Sequence, residues 1–180
     1  MINDGSGPTL AQILEEAGAP DGGLGKIAPE LLERALLDAG VGVSQFRYLF
    51  ERLANPDLLL LAVPVGKDLA VPAVLGRRAG CVFAPDDDAA TVARNLAARP
   101  GYPDARVVSY DDEEYPTQVR WGGDEAPLPD WEESDTEWAR LTAADGRMYG
   151  YHDDVIREAI TGHYGRAVAN EVLRIEGHEP

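Results

Sequence analysis

The stretch Asn55-Pro-Asp-Leu-Leu-Leu-Leu-Ala-Val-Pro-Val-Gly-Lys-Asp-Leu-Ala-Val-Pro-Ala-Val-Leu75 decides the fold class, because the hydrophobic pattern changes character there. Before it, apolar residues recur at helical spacing. From Asn55-Pro56 onward they form short continuous runs broken by turn residues, the pattern of extended segments. Residues 58–65, 69–75 and 81–84 are predicted strands, separated by the Gly66-Lys67-Asp68 turn and by Gly76-Arg77-Arg78.

Upstream, Thr9 caps a short predicted helix over 10–17 that Gly18 ends. Pro29 opens a second helix, 29–39, with Leu32, Ala35, Leu36 and Ala39 on one face and Gly40 as its stop. Ser44 is read as the cap of a third, 45–54, whose Phe46, Leu49, Phe50 and Leu53 recur three and four apart.

Downstream, residues 85–98 read as a helix whose acidic first turn complements the helix dipole. Residues 106–110 and 115–121 resemble a hairpin with a charged tip at 111–114. A second hairpin is expected at 138–151, turning at Asp145-Gly146, and two helices at 153–161 and 166–175 close the chain.

The expected fold is α+β: a mixed or antiparallel sheet of about five to seven strands, with an N-terminal helical segment and a C-terminal helical hairpin. At 180 residues a single domain, 1–180, is expected, with a helical segment over 1–55, a sheet-rich core over 56–151 and terminal helices over 152–180.

Composition narrows the function classes. Thirty-two acids against 16 bases give a net charge of −16, which repels nucleic acid and anionic membrane and favours basic partners. The same excess also arises from a genome-wide bias, which is the bland explanation. No run approaches the roughly 20 apolar residues of a membrane-spanning helix. The first residues, Met-Ile-Asn-Asp-Gly-Ser-Gly-Pro, lack the basic and apolar regions of a secretory signal, so a cytoplasmic location is expected. The single cysteine, Cys81, lies in an apolar run and reads as a small buried hydrophobe.

Catalytic patterns fail one by one. Gly25-Lys26 is followed by Ile27, and Pro20 stands where a phosphate-binding loop needs its first glycine. Gly40-Val-Gly42 follows a helix and has Gln45 in place of the third glycine of a dinucleotide fingerprint. No Gly-x-Ser-x-Gly elbow occurs. His152-Asp153 has no earlier histidine to complete a metal-binding set, and Asp86-Asp87-Asp88 is explained by helix capping. The helix-turn-helix outline near the C-terminus offers only Arg166 and Arg174 as bases in its second helix, which reads as an ordinary helical hairpin. No cofactor is expected.

One feature rises above this background. Residues 104–137 hold 12 acids and two bases, a net of −10 in 34 residues, interleaved with Tyr110, Tyr115, Trp121, Trp131 and Trp138. Aromatic anchors in a charged rim are what protein-binding patches use. The expected site is Asp111, Asp112, Glu113, Glu114, Tyr115, Trp121, Asp130, Trp131, Glu132 and Glu133, and the expected function is non-enzymatic: an acidic binding protein of inhibitor, immunity or nucleic-acid-mimic type engaging a basic protein surface. The competing structural reading packs those rings inward under a solvated loop. Two alternatives of other classes are an enzyme acting on a small molecule or peptide with a site drawn from Tyr151, His152, Asp153 and His163, and a structural component of a larger particle.

Overall fold

The N-terminal helices form where the sequence places them, and their caps explain why. The computed structural model describes residues 3–109, 117–123 and 134–175. Thr9 starts α1 (Leu10–Glu16) with a reciprocal cap: its hydroxyl accepts from the Gln12 backbone N–H at 3.4 Å while Gln12 Oε1 accepts from the Thr9 N–H at 2.8 Å. Pro29 opens α2 (Pro29–Asp38), which buries Ala35 and Leu36. In α3 (Val43–Arg52), Phe46 and Leu49 turn inward. Ser44 is not its cap. Gly42 is, held by its N–H on the Lys67 carbonyl at 2.8 Å, and this puts Ser44 on the exposed side of the first turn.

The decisive stretch is only partly extended. Asn55 Oδ1 accepts from the Asp57 N–H at 3.2 Å and Pro56 presets the backbone, so Pro56–Leu61 winds into a 3₁₀ helix. The strand expected over 58–65 shrinks to β1 (Val63–Val65), paired antiparallel with β2 (Asp68–Ala70) around Gly66-Lys67, with Val63 opposite Ala70. Next come β3 (Ala79–Phe83), α4 (Asp86–Ala97), β4 (Arg106–Val108) and β5 (Gln118–Gly122). These three strands form a second antiparallel sheet in the order β3-β5-β4. Asp86, Asp87 and Asp88 occupy the first turn of α4.

The α+β class therefore holds, but one sheet of five to seven strands does not: among the described residues there are two small sheets, of two and three strands. The second predicted hairpin is likewise replaced. Residues 138–151 contribute to α5 (Asp135–Met148), followed by α6 (Asp153–Tyr164) and α7 (Arg166–Ile175). Ala139, Ala143 and Gly146, spaced four and three apart, are buried on one side of α5. Gly146 serves close helix packing there: a Cβ added to it would lie 2.6 Å from Ile156 Cγ1 of α6. The expected C-terminal hairpin is thus two arms of a three-helix cluster.

Among the described residues three apolar cores result. The N-terminal helices and the 3₁₀ turn share Leu10, Leu14, Leu36, Leu53 and Leu59. Helix α4 and the strands enclose Val82, Val92, Leu96, Val119 and Trp121. Helices α5, α6 and α7 enclose Ala143, Ile156, Ile160, Val172 and Leu173. The third core joins the rest at one seam. There the Ala54 N–H donates to the Gly150 carbonyl, the His152 N–H to Arg52 and the Arg78 N–H to Met148, each at 2.9 Å. Among the described residues no helix is long and apolar enough to cross a membrane.

Candidate functional site

Within the acidic part of the sequence the structure places β5, the central strand of the three-stranded sheet. Its residues alternate: Val119 and Trp121 are buried while Gln118 and Arg120 are half-exposed. Trp121 stands opposite Gly80 of β3, and its ring occupies the volume that a side chain at position 80 would need. The indole Nε1 donates to the Val71 carbonyl at 3.2 Å, and the ring packs tilted against Tyr102 with centroids 5.2 Å apart. The Tyr102 hydroxyl in turn donates to the Ala70 carbonyl at 2.7 Å. Burial raises its phenol well above the ordinary range.

Trp121 is 1% exposed, so the ring expected to point outward as an anchor belongs to the core. For this residue the inward reading is the correct one. Its contribution is to pin β5. The other nine predicted site residues, Asp111, Asp112, Glu113, Glu114, Tyr115, Asp130, Trp131, Glu132 and Glu133, lie outside the described residues. Trp138 lies in α5 and is half-buried.

The described framework still fixes where the acidic stretches attach. Residues 110–116 lead into Thr117 before β5, and residues 124–133 leave from Gly123 after it. The five residues of β5 span about 17 Å, so the two stretches leave the sheet from opposite ends of one central strand. The charge divides along the same lines. The described residues contain 21 acids and all 16 bases, a net of −5. The remaining 11 acids, with no base among them, fall in residues 110–116, 124–133 and 176–180.

The residues considered for catalysis do not converge. His152 precedes α6 and His163 lies in its last turn, about 16 Å away along the axis at the standard rise, and both are exposed. Asp153 Oδ1 lies 3.9 Å from Arg147 Nε. Tyr151 packs at the seam, where burial pushes its hydroxyl up to about 12. Among the described residues no group of three or more His, Cys, Asp or Glu side chains is placed to hold a metal ion. Cys81, expected to be buried, is half-exposed on the side of β3 away from Gly80 and Val82.

The span of sequence that builds this arrangement has a family counterpart. Residues 27–173 match DUF6302, a family of unknown function. The chain belongs to DUF6302. The DUF6302 match starts just ahead of α2 and ends within α7. It takes in all five strands, both acidic stretches beside β5 and the seam at Gly150, and leaves α1 outside. No curated protein and no solved structure matches the chain.

Sequence reasoning missed one residue in this DUF6302 span. Arg77 is buried at 6% exposure between the β2–β3 connection and the seam. Its Nη1 donates to the Tyr149 carbonyl. A single arginine in a Gly-Arg-Arg turn gives no sign of burial. For Trp121 the signal was available: its alternation, with Val119, against Gln118 and Arg120 assigns it to the inner face of the strand.

Proposed function

We propose that this protein is a non-enzymatic binding protein that engages a basic surface on another protein through the acidic stretches flanking β5. The observation that carries the reading is the division of charge: a framework at −5 holds every base, while 11 acids sit in short stretches outside it. A uniform compositional bias would spread the excess over the helices as well. Concentrated carboxylates steer a cationic partner by long-range attraction and take the places that phosphates would occupy on it. An inhibitor or immunity role toward a nucleic-acid-processing protein fits this chemistry.

The test is capture of partners from the native host by the wild type and by a variant with Asp111→Asn, Asp112→Asn, Glu113→Gln and Glu114→Gln. The expected partner is basic, binds at about 0.05 M salt, is released at about 0.5 M, and associates with the variant at least tenfold more slowly. An unchanged association rate in the variant would sink the reading.

A further inference from the structure

The seam carries a feature that the acidic stretches do not account for. Arg77 is a buried cation in a strongly acidic chain, yet no carboxylate of the described residues pairs with it. The titratable groups around it are Tyr151, Cys81, Tyr149 and Tyr102, none of them a carboxylate. Desolvation pulls its guanidinium below the ordinary range, a measure of how little negative charge offsets its burial. Nη1 is occupied by the Tyr149 carbonyl, whereas Nε is buried with no hydrogen-bond partner. Its Cζ lies 5.6 Å from the Tyr149 ring centroid, and a ring face at that distance attracts the charge without accepting the in-plane Nε–H bond.

The groups around Arg77 are aromatic and cationic. Tyr149 and Tyr151 lie with ring centroids 6.1 Å apart, and Tyr48 meets the Tyr151 side chain. Arg52 lies over the Tyr48 ring at 3.8 Å, adding a second cation. The cluster runs from buried Arg77 to Tyr48, which is 43% exposed, so it has a solvent side. Tyrosine hydroxyls donate and accept, and a guanidinium fork matches an oxyanion with two parallel bonds.

We propose that Arg77, with Tyr149, Tyr151 and Tyr48, forms a binding site for the oxyanion group, carboxylate or phosphate, of a small ligand. Arg77 supplies the charge and the unoccupied Nε–H, and the tyrosines line the approach. The site is separate from the acidic stretches and takes a ligand of opposite charge to their partner.

The experiment follows the Nε–H of Arg77 in the ¹³C,¹⁵N-labelled full chain by NMR, assigned through the side-chain carbons of Arg77. Inorganic phosphate and acetate are titrated separately, each against sodium chloride at matched ionic strength. The expected result is a saturable shift of the Arg77 Nε–H resonance with one or both anions, absent with chloride. Saturation with phosphate alone assigns a phosphate ligand, and saturation with acetate assigns a carboxylate. No saturable shift, or the same shift with chloride, overturns the site. So does a resonance indifferent to both anions but displaced when the acids at 111–114 are neutralised, since the chain's own carboxylates would then fill the fork.

Discussion

Gly80 and Trp121 face each other across the β3–β5 ladder, and the indole fills the room the glycine leaves. The pair makes the central strand of the sheet depend on the absence of one methyl group. Gly80→Ala must push the ring off its bond to Val71, and overpacking of this kind costs about 1–3 kcal/mol. The denaturant midpoint should fall accordingly, and Trp121→Ala should cost more, about 3–5 kcal/mol. A Gly80→Ala protein with an unchanged midpoint would contradict the packing.

Gly146 tests two opposing effects at one position. In an exposed helix, replacing glycine by alanine gains about 1 kcal/mol. Here the added Cβ meets Ile156 Cγ1 at 2.6 Å, and the overpacking cost of about 1–3 kcal/mol exceeds the gain. Gly146→Ala should therefore destabilise, and it should cost much less in an Ile156→Ala background, where Cγ1 is gone. The coupling is measured by a double-mutant cycle in urea, where strict additivity would show that the helices do not meet there.

Alkaline pH should weaken the fold through Tyr151. Burial holds its folded pKa up at about 12, against about 10 in an unfolded chain. Between those values the unfolded state loses its proton while the folded state keeps it, so unfolding becomes more favourable as pH rises. This contribution is complete below about pH 10 and is lost progressively toward pH 12. Buried Tyr102 acts in the same direction. Tyr151→Phe should flatten the decline, and urea midpoints from pH 9 to about 11.5 would record it; an identical slope in the variant counts against burial of that hydroxyl.

The reciprocal cap of Thr9 and Gln12 predicts a local effect. Thr9→Ala should destabilise by about 1 kcal/mol, and Thr9→Ser should retain most of it, because the serine oxygen reaches the same N–H. Hydrogen exchange at the first turn of α1 should quicken in the alanine variant alone.

Helices were legible wherever a cap and a period coincided, as at Thr9, Pro29 and the acidic start of α4. Where a residue type carries two meanings the reading failed. Asp145-Gly146 reads as a hairpin turn, but Ala139, Ala143 and Gly146 share the helical period, and the glycine serves close approach. Leu58 to Leu61 reads as a strand because four leucines have no period, and the outcome turned on the local bond of Asn55 to Asp57. The crowding of acids was plain in the sequence. The inward side of Trp121 was readable from its neighbours, but the burial of Arg77 was not, since it arises from contacts with residues about 70 positions away.

The bonds named at the seam all involve residues 148–152, and this bears on how the chain assembles. Helices α5, α6 and α7 are contiguous in sequence and close on short-range contacts, whereas the N-terminal part must bring Asn3 to Gly66 and Asn95 to Asp4. Local topologies form faster, so refolding from denaturant should complete the C-terminal bundle first. On the ribosome that bundle emerges after the N-terminal part. The two routes to the native state then run in opposite order. Pulse-labelled exchange during refolding should find Ile160 protected before Val119, and simultaneous protection would remove the distinction.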